Sequence, residues 1–382
     1  MTKHVLQLAS VASMIDLFNK DNLLILERLG ARIDVAANFQ EGSITSQVRV
    51  NEYRQELKDR KIDVIDFPCP RSIFRFADIL HSYKMMKTLV ETRNYRFVHC
   101  HSPIGGVIAR LACRNARKKG TKVIYTAHGF HFFKGASILN WLIFYPIEKL
   151  CSRITDVLIT INQEDYKRAL SWKTCRVELV PGIGVHTEEF RNEVVDRVKY
   201  RTEFGFKDDD FVFMSTGQLS VRKNHEVIIR AISEIQNPNV KYLIVGFGEL
   251  EQKHKALVKE LGIEDRVVFA GYRADVKQLL HVVDGYAFPS LQEGLPVALM
   301  EAMSVGLPIV CSRIRGNVDL IENAQGGFLY DCHNVKGFAE GMQNIVSGKG
   351  KDMGVINIET MKHFDIETVN NRMTNLYSEL LD

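Results

Sequence analysis

Short apolar blocks rich in β-branched residues alternate along this chain with longer stretches whose apolar positions recur at helical spacing. HVLQLAS (4–10), RIDVAANF (32–39), FVHCHS (97–102), KVIYTAH (122–128) and DVLITIN (156–162) are near-continuous apolar runs in the first half. FVFMSTG (211–217), VKYLIVGFG (240–248), RVVFAGY (266–272), GYAFPS (285–290) and PIVCS (308–312) repeat the pattern in the second. Such runs predict parallel strands buried on both faces. HEVIIRAISEI (225–235) and GELEQKHKALVKELG (248–262) predict helices between them. Strands alternating with helices predict βαβ units. The pattern breaks at VELVPGIGVHTEEF (177–190), a Pro/Gly turn followed by charged residues. We therefore expect two doubly wound, Rossmann-like α/β domains, residues 1–185 and 186–364. The last amphipathic stretch, 365–382, is expected to pack back on the first domain. In open α/β sheets ligands sit beyond the carboxyl ends of the strands. Two such domains facing each other would enclose a cleft, with the chemistry just after the strands.

Composition narrows this further. The 382 residues are 46% hydrophobic, enough for two domains with full cores. The seven cysteines include no C-x-x-C pair, which predicts free thiols in a reducing compartment and no zinc site. The start, MTKHVLQLAS, reads as a first strand and not as a signal peptide. The longest apolar run, ILNWLIFYPI (138–147), is far short of the roughly 20 residues that span a bilayer. A cytoplasmic protein is expected. Residues 1–185 carry 28 Lys and Arg against 17 Asp and Glu, a balance of +11; the remainder carries 22 against 29, or −7, together the net +4. A basic half beside an acidic half predicts different partners for the two domains.

The candidate chemistry lies after the strands. In FPSLQEGLPVALMEAMSVGLPIV (288–310) two carboxylates, Glu293 and Glu301, interrupt an apolar segment. GYAFPS is a strand, LQEGLP a turn, and VALMEAMS (297–304) a helix with Pro296 in its first turn. The free N–H groups of Gly294, Leu295 and Val297, with Pro296 between the last two, mark an anion site at the positive end of the helix dipole. A phosphate there, with a carboxylate on either side for vicinal hydroxyls, accounts for both glutamates. Taken alone, Glu293 reads equally as a helix cap and Glu301 as an exposed helix residue.

In STGQLSVRKNHE (215–226) a strand runs into Gly217 and Gln218, and the basic turn Arg222-Lys223 follows. Two cations on a post-strand loop suit a diphosphate and stabilise a departing charge; an ordinary basic loop is the plain alternative. Gly246 and Gly248 form a G-x-G without its third glycine, more often a tight turn than a dinucleotide site. Tyr272 and Arg273 follow another strand, in reach of a nucleobase. His101 and His128 each end a strand in the first half. One such histidine is usually structural; two point toward the cleft. No carboxylate or thiol stands at ligand spacing, so no metal and no other cofactor is expected.

Taken together these residues resemble retaining glycosyltransferase family 4, of GT-B architecture. Glu293 and Glu301 match the family's E-x(7)-E. Gly217, Leu219 and Lys223 match its basic loop, and Pro181, Gly184, Val185 and Phe190 echo its hinge. His128 echoes its post-strand histidine. The stretch AHGFHFFKGASILNWLIFYPIEKLCSRITDVLITINQEDY (127–166) looks like the subgroup that builds capsule or exopolysaccharide on a lipid carrier. Gln218 stands where the family often has arginine, which moves the expected diphosphate contact to Arg222. His186 replaces the hinge aspartate, and LASVASMIDLFN (8–19) lacks the family's glycine pair. The resemblance implies that Lys223 and Arg222 neutralise the diphosphate, Glu301 holds the ribose, Glu293 holds the donor sugar, and His128 lies at the reacting centre. It implies same-face attack without a metal, from a donor that family habit makes UDP-linked, onto a lipid-linked saccharide.

RSIFRFADILHSYKMMKTLVETRNYR (71–96) mixes Arg and Lys with apolar residues at helical spacing. Such a helix suits an anionic membrane, each basic residue contributing about 1 kcal/mol near the surface. Peripheral contact on the inner face of the cell membrane is expected, and no nucleic acid. The runner-up is a nucleotide-sugar epimerase of the same architecture, which would turn over donor alone; a non-catalytic sugar-binding protein would not need Lys223. A nicotinamide dehydrogenase would want G-x-G-x-x-G after the first strand, and LASVAS (8–13) is not that.

Overall fold

The computed structural model describes residues 3–382. Contacts divide the chain into two compact units: residues up to Ile183 together with Glu367–Asp382, and Gly184–Ile366.

The first unit is built on seven parallel strands: β1 (His4–Val11), β2 (Arg32–Asn38), β3 (Asp63–Asp66), β4 (Phe97–His101), β5 (Lys122–Ala127), β6 (Val157–Thr160) and β7 (Arg176–Leu179), in the order β3-β2-β1-β4-β5-β6-β7. Side chains of β1 alternate between the faces of the sheet. Val5 and Ala9 join one core with Val35, Phe97 and Ile124, while Leu6 and Leu8 join the other with Val98, Cys100 and Tyr125. With both faces covered, the strand is apolar almost throughout. The Ile366–Leu381 helix packs on the first of these faces, where Val369, Met373, Leu376 and Tyr377 enter the core. The Tyr377 ring stacks on Phe97 at 5.4 Å.

The second unit has six parallel strands: β8 (Phe211–Thr216), β9 (Val240–Val245), β10 (Val267–Gly271), β11 (Gly285–Phe288), β12 (Ile309–Ser312) and β13 (Gly327–Tyr330), in the order β10-β9-β8-β11-β12-β13. Its order reverses between β8 and β11, which opens a crevice at their carboxyl ends. The His225–Glu234 helix buries Ile228, Ile229 and Ile232 against this sheet.

β3, β7 and β13 were not among the strands expected from the sequence. β3 and β7 are edges, four residues each, and DVID and RVEL carry charges that an edge strand can leave in water. Pro296 stands at the N-cap of the Val297–Ser304 helix, one residue before the expected first turn.

Candidate functional site in the second unit

The carboxyl ends of β8 and β11 lie side by side at the switch point, and their loops carry opposite charges. After β8 the chain makes a 3₁₀ turn, Val221–Lys223, ended by Asn224 in the left-handed conformation at φ 54°. Asn224 Nδ2 donates to the carbonyls of Pro289 and Cys332, at 3.1 and 2.8 Å. The Leu291 N–H donates to the Arg222 carbonyl at 2.8 Å. The two loops are thus stitched together before any charge is considered.

Between them sits an ion trio. Glu293 Oε1 accepts from Lys223 Nζ at 2.8 Å and from Arg222 Nη1 at 2.8 Å. Arg222 also donates to the Gln292 carbonyl, and Arg315 Nε to that of Glu293. Lys223 lies over the Phe288 ring, 4.7 Å from its centre. Burial pushes its ammonium down from the usual lysine range, while Glu293 opposes that shift. Two cations meet one carboxylate, so the trio keeps a net positive charge.

Glycines let this happen. Gly217 has φ +141°, and a Cβ there would come within 3.0 Å of Lys223 Cε. A Cβ on Gly246 would stand 2.0 Å from the Gly217 carbonyl oxygen. The G-x-G turn therefore supports the β8 loop from beneath. Gln218, between these glycine contacts, is exposed.

The β11 loop leads into the Val297–Ser304 helix. Among the described residues nothing accepts from the N–H groups of Gly294 and Leu295. Leu295 and Pro296 are buried, and Val297 opens the helix. Glu301 makes no ion pair or hydrogen bond among the described residues, and burial raises its carboxyl to about 7. Tyr272 and Phe247 are 74% and 62% exposed, with ring centres 6.2 Å apart. Arg273 is held by Glu203 and Asp275 at 2.5 and 2.6 Å, so its guanidinium is already engaged.

In the first unit the structure brings His101 and His128 together, with His101 Nδ1 3.2 Å from His128 Nε2. His101 is wholly buried, and His128 lines a pocket with Thr126, Ile159, Val180, Asn370 and Met373. Removal from water holds His101 well below the usual histidine range and His128 at about 4, so both are neutral. Among the described residues no cluster of three His, Cys, Asp or Glu is placed to hold one metal ion.

Sequence reasoning missed three contributors. Asn224 was visible only as part of a basic turn. Phe247 lay inside the G-x-G and gave no signal of its own. Arg315 follows β12 in SRIRGN, a post-strand loop whose position was a usable clue.

Two parallel-sheet, Rossmann-like units define a GT-B fold. Residues 196–359 match the family model described as "Glycosyl transferases group 1", and 32–162 match "Glycosyl transferase 4-like". The chain is 33% identical to the putative glycosyltransferase EpsD of Bacillus subtilis, over 100% of its own length and 98% of that protein's. It is 29% identical to the UDP-Gal:alpha-D-GlcNAc-diphosphoundecaprenol alpha-1,3-galactosyltransferase of Escherichia coli, over 71% of this chain and 70% of that one. The crystal structure of Anabaena HepE in complex with UDP superposes with a TM-score of 0.76 at 20% identity, over 99% of this chain and 100% of that one. The chain belongs to glycosyltransferase family 4 and is a glycosyltransferase.

Proposed function

We propose that this enzyme is a retaining, metal-independent transferase. It moves a hexose or N-acetylhexosamine from a UDP-sugar to a lipid-linked saccharide in capsule or exopolysaccharide synthesis. The second unit holds the donor and the first the acceptor. The observation that carries the reading is Glu293 shared between Lys223 and Arg222, beside the unengaged N–H groups of Gly294 and Leu295. A diphosphate is the stronger partner for both cations. On arrival it displaces Glu293, whose carboxylate then turns to the hydroxyls of the donor sugar. Glu301 accepts from the ribose hydroxyls, and Tyr272 with Phe247 flanks the base. Gly217, Gln218 and Gly246 shape the loop at the diphosphate.

The bond from the anomeric carbon to the phosphate oxygen breaks as the bond to the acceptor oxygen forms on the same face. The acceptor's proton passes to the departing phosphate oxygen. Lys223, Arg222 and the helix start stabilise the charge that develops there. His128, backed by His101, is the first unit's contribution to the reaction. The UDP in HepE and the diphosphoundecaprenol acceptor in the name of the E. coli relative support the choice of substrates.

Membrane contact belongs to this reading, with a shift of element. The Phe76–Arg93 helix turns Ser82, Met86 and Val90 inward, and its Arg75 and Arg93 pair with carboxylates. The Ile138–Ser152 helix exposes Ile138 and Leu142 at 78% and 70%, along with Leu139 and Leu150. Residues 101–150 contain eight Lys and Arg, and their single acid, Glu148, is buried on Arg110. An exposed apolar face on a chain segment rich in basic residues fits an anionic bilayer. No helix among the described residues is long and apolar enough to cross one.

A thermal-shift screen of nucleotide sugars tests the donor, because a ligand of the folded state raises Tm. A UDP-sugar is expected to give the largest rise and to be consumed only with a lipid-linked acceptor, with EDTA changing little. Consumption of donor alone would sink the transferase reading. Sedimentation with anionic vesicles at low salt checks the membrane contact, and Leu142→Asp should abolish it.

A further inference from the structure

The first unit contains a hydrogen-bond chain that runs from the Ile366–Leu381 helix to His128. Tyr377 Oη lies 2.7 Å from His99 Nδ1 and 3.2 Å from Gln7 Nε2. Gln7 Oε1 lies 3.3 Å from His101 Nε2, and His101 Nδ1 3.2 Å from His128 Nε2. His99 Nε2 closes the other arm on Thr126 Oγ1 at 2.8 Å. Gln7, His99, His101 and Tyr377 are buried, so these groups must satisfy one another.

The protons then follow from the amide of Gln7. Its nitrogen donates to Tyr377 Oη, so the single tyrosine proton goes to His99 Nδ1. His99 therefore carries its proton on Nε2 and donates to Thr126. On the other arm the amide oxygen only accepts, so His101 is protonated on Nε2 and bare on Nδ1. His128 must donate from Nε2. Its Nδ1 is left with a lone pair and has no partner among the described residues. Turning the amide over would reverse every bond and put the proton on His128 Nδ1.

We propose that Gln7, whose amide bonds Tyr377 on one side and His101 on the other, is a positioning residue that fixes His128 as its Nε2–H tautomer, so that Nδ1 accepts a hydrogen bond from a sugar hydroxyl. The functional half rests on the reading of His128 as part of the reacting centre; the tautomer does not. Removal from water, which holds His99 at about 3 and His101 well below the usual range, keeps the chain neutral.

Two-bond ¹H–¹⁵N correlation spectra of the full-length protein with ¹⁵N-labelled histidine read the tautomer directly. His128 is expected to show a protonated Nε2 and an unprotonated Nδ1. A protonated Nδ1, or an average of the two forms, would overturn the proposal. In Gln7→Met the His128 signals should move toward an average, and kcat should fall roughly tenfold, the scale of one lost hydrogen bond, with KM for the donor little changed. Tyr377→Phe should act in the same direction and more weakly. Lower turnover with an unchanged tautomer in both variants would refute the role of Gln7 while leaving His128 at the centre. A switched tautomer with unchanged turnover would instead remove His128 from the reacting centre. If neither variant folds, the wild-type spectrum alone decides.

Discussion

The two units carry their polar groups in opposite ways. The second holds charges: Lys223 and Arg222 each lie 2.8 Å from Glu293 on loops beyond β8 and β11. The first holds neutral groups: His99, His101, Gln7 and Tyr377 are buried and joined by hydrogen bonds. A charged set in partial contact with water can exchange an internal partner for a ligand. A neutral buried set cannot change partners cheaply, so it keeps a direction. One is built to be displaced and the other to hold still.

Removing a charge should break this comparison most severely. Lys223→Ala is expected to lower kcat by about 10²–10³-fold, the scale of losing one preorganised electrostatic contact, and steady-state turnover measures it. Full activity in that variant would refute the site assignment. Gly246→Ala comes next. Its Cβ would overlap the Gly217 carbonyl at a φ of +139°, which should cost about 1–3 kcal/mol and lower Tm by several degrees.

pH sharpens the comparison, because the two sets respond with opposite sign. Glu301, raised to about 7 when free, should be pulled down by hydroxyls that donate to its carboxylate. UDP affinity should therefore weaken as pH falls below about 7 and stay level above it, with the slope abolished in Glu301→Gln; calorimetric titration reads both. Burying the same carboxylate disfavours its charge, so Glu301 takes stability away as pH rises from its ordinary carboxylate range to about 7. The histidines do the reverse. Their folded values are depressed, so their contribution is complete above the ordinary histidine range and is lost as pH falls through it toward about 4 for His128 and about 3 for His99. Melting scans across that range should show Tm falling as the pH is lowered.

Much of the fold was legible because buried parallel strands must be apolar on both sides. β1, β4, β5, β8 and β9 announce themselves for that reason. The four-residue edges β3 and β7 share their hydrogen bonds with one neighbour and keep charges, so no pattern marks them. Glu293, Glu301 and Lys223 stood out as charges in post-strand loops. Their pairing did not, because Lys223 and Glu293 are 70 residues apart and meet only when the sheet order reverses between β8 and β11. The Ile138–Ser152 helix misleads in another way. Its apolar run shows only that it is too short to span a bilayer, yet half of the helix faces water, and periodicity cannot separate a buried helix from one with an unfilled face.

The Ile366–Leu381 helix has a bearing on how the chain is made. Gln7 and Tyr377 bond across 370 residues, and the whole second unit is synthesised between them. The unit that begins first on the ribosome therefore finishes last. Until that helix emerges, the Val5–Phe97 face of the nascent sheet lacks its cover, which makes it a natural place for a chaperone to wait. A truncation just before residue 366 would spare every residue of the loops beyond β8 and β11 and still leave the first unit incomplete.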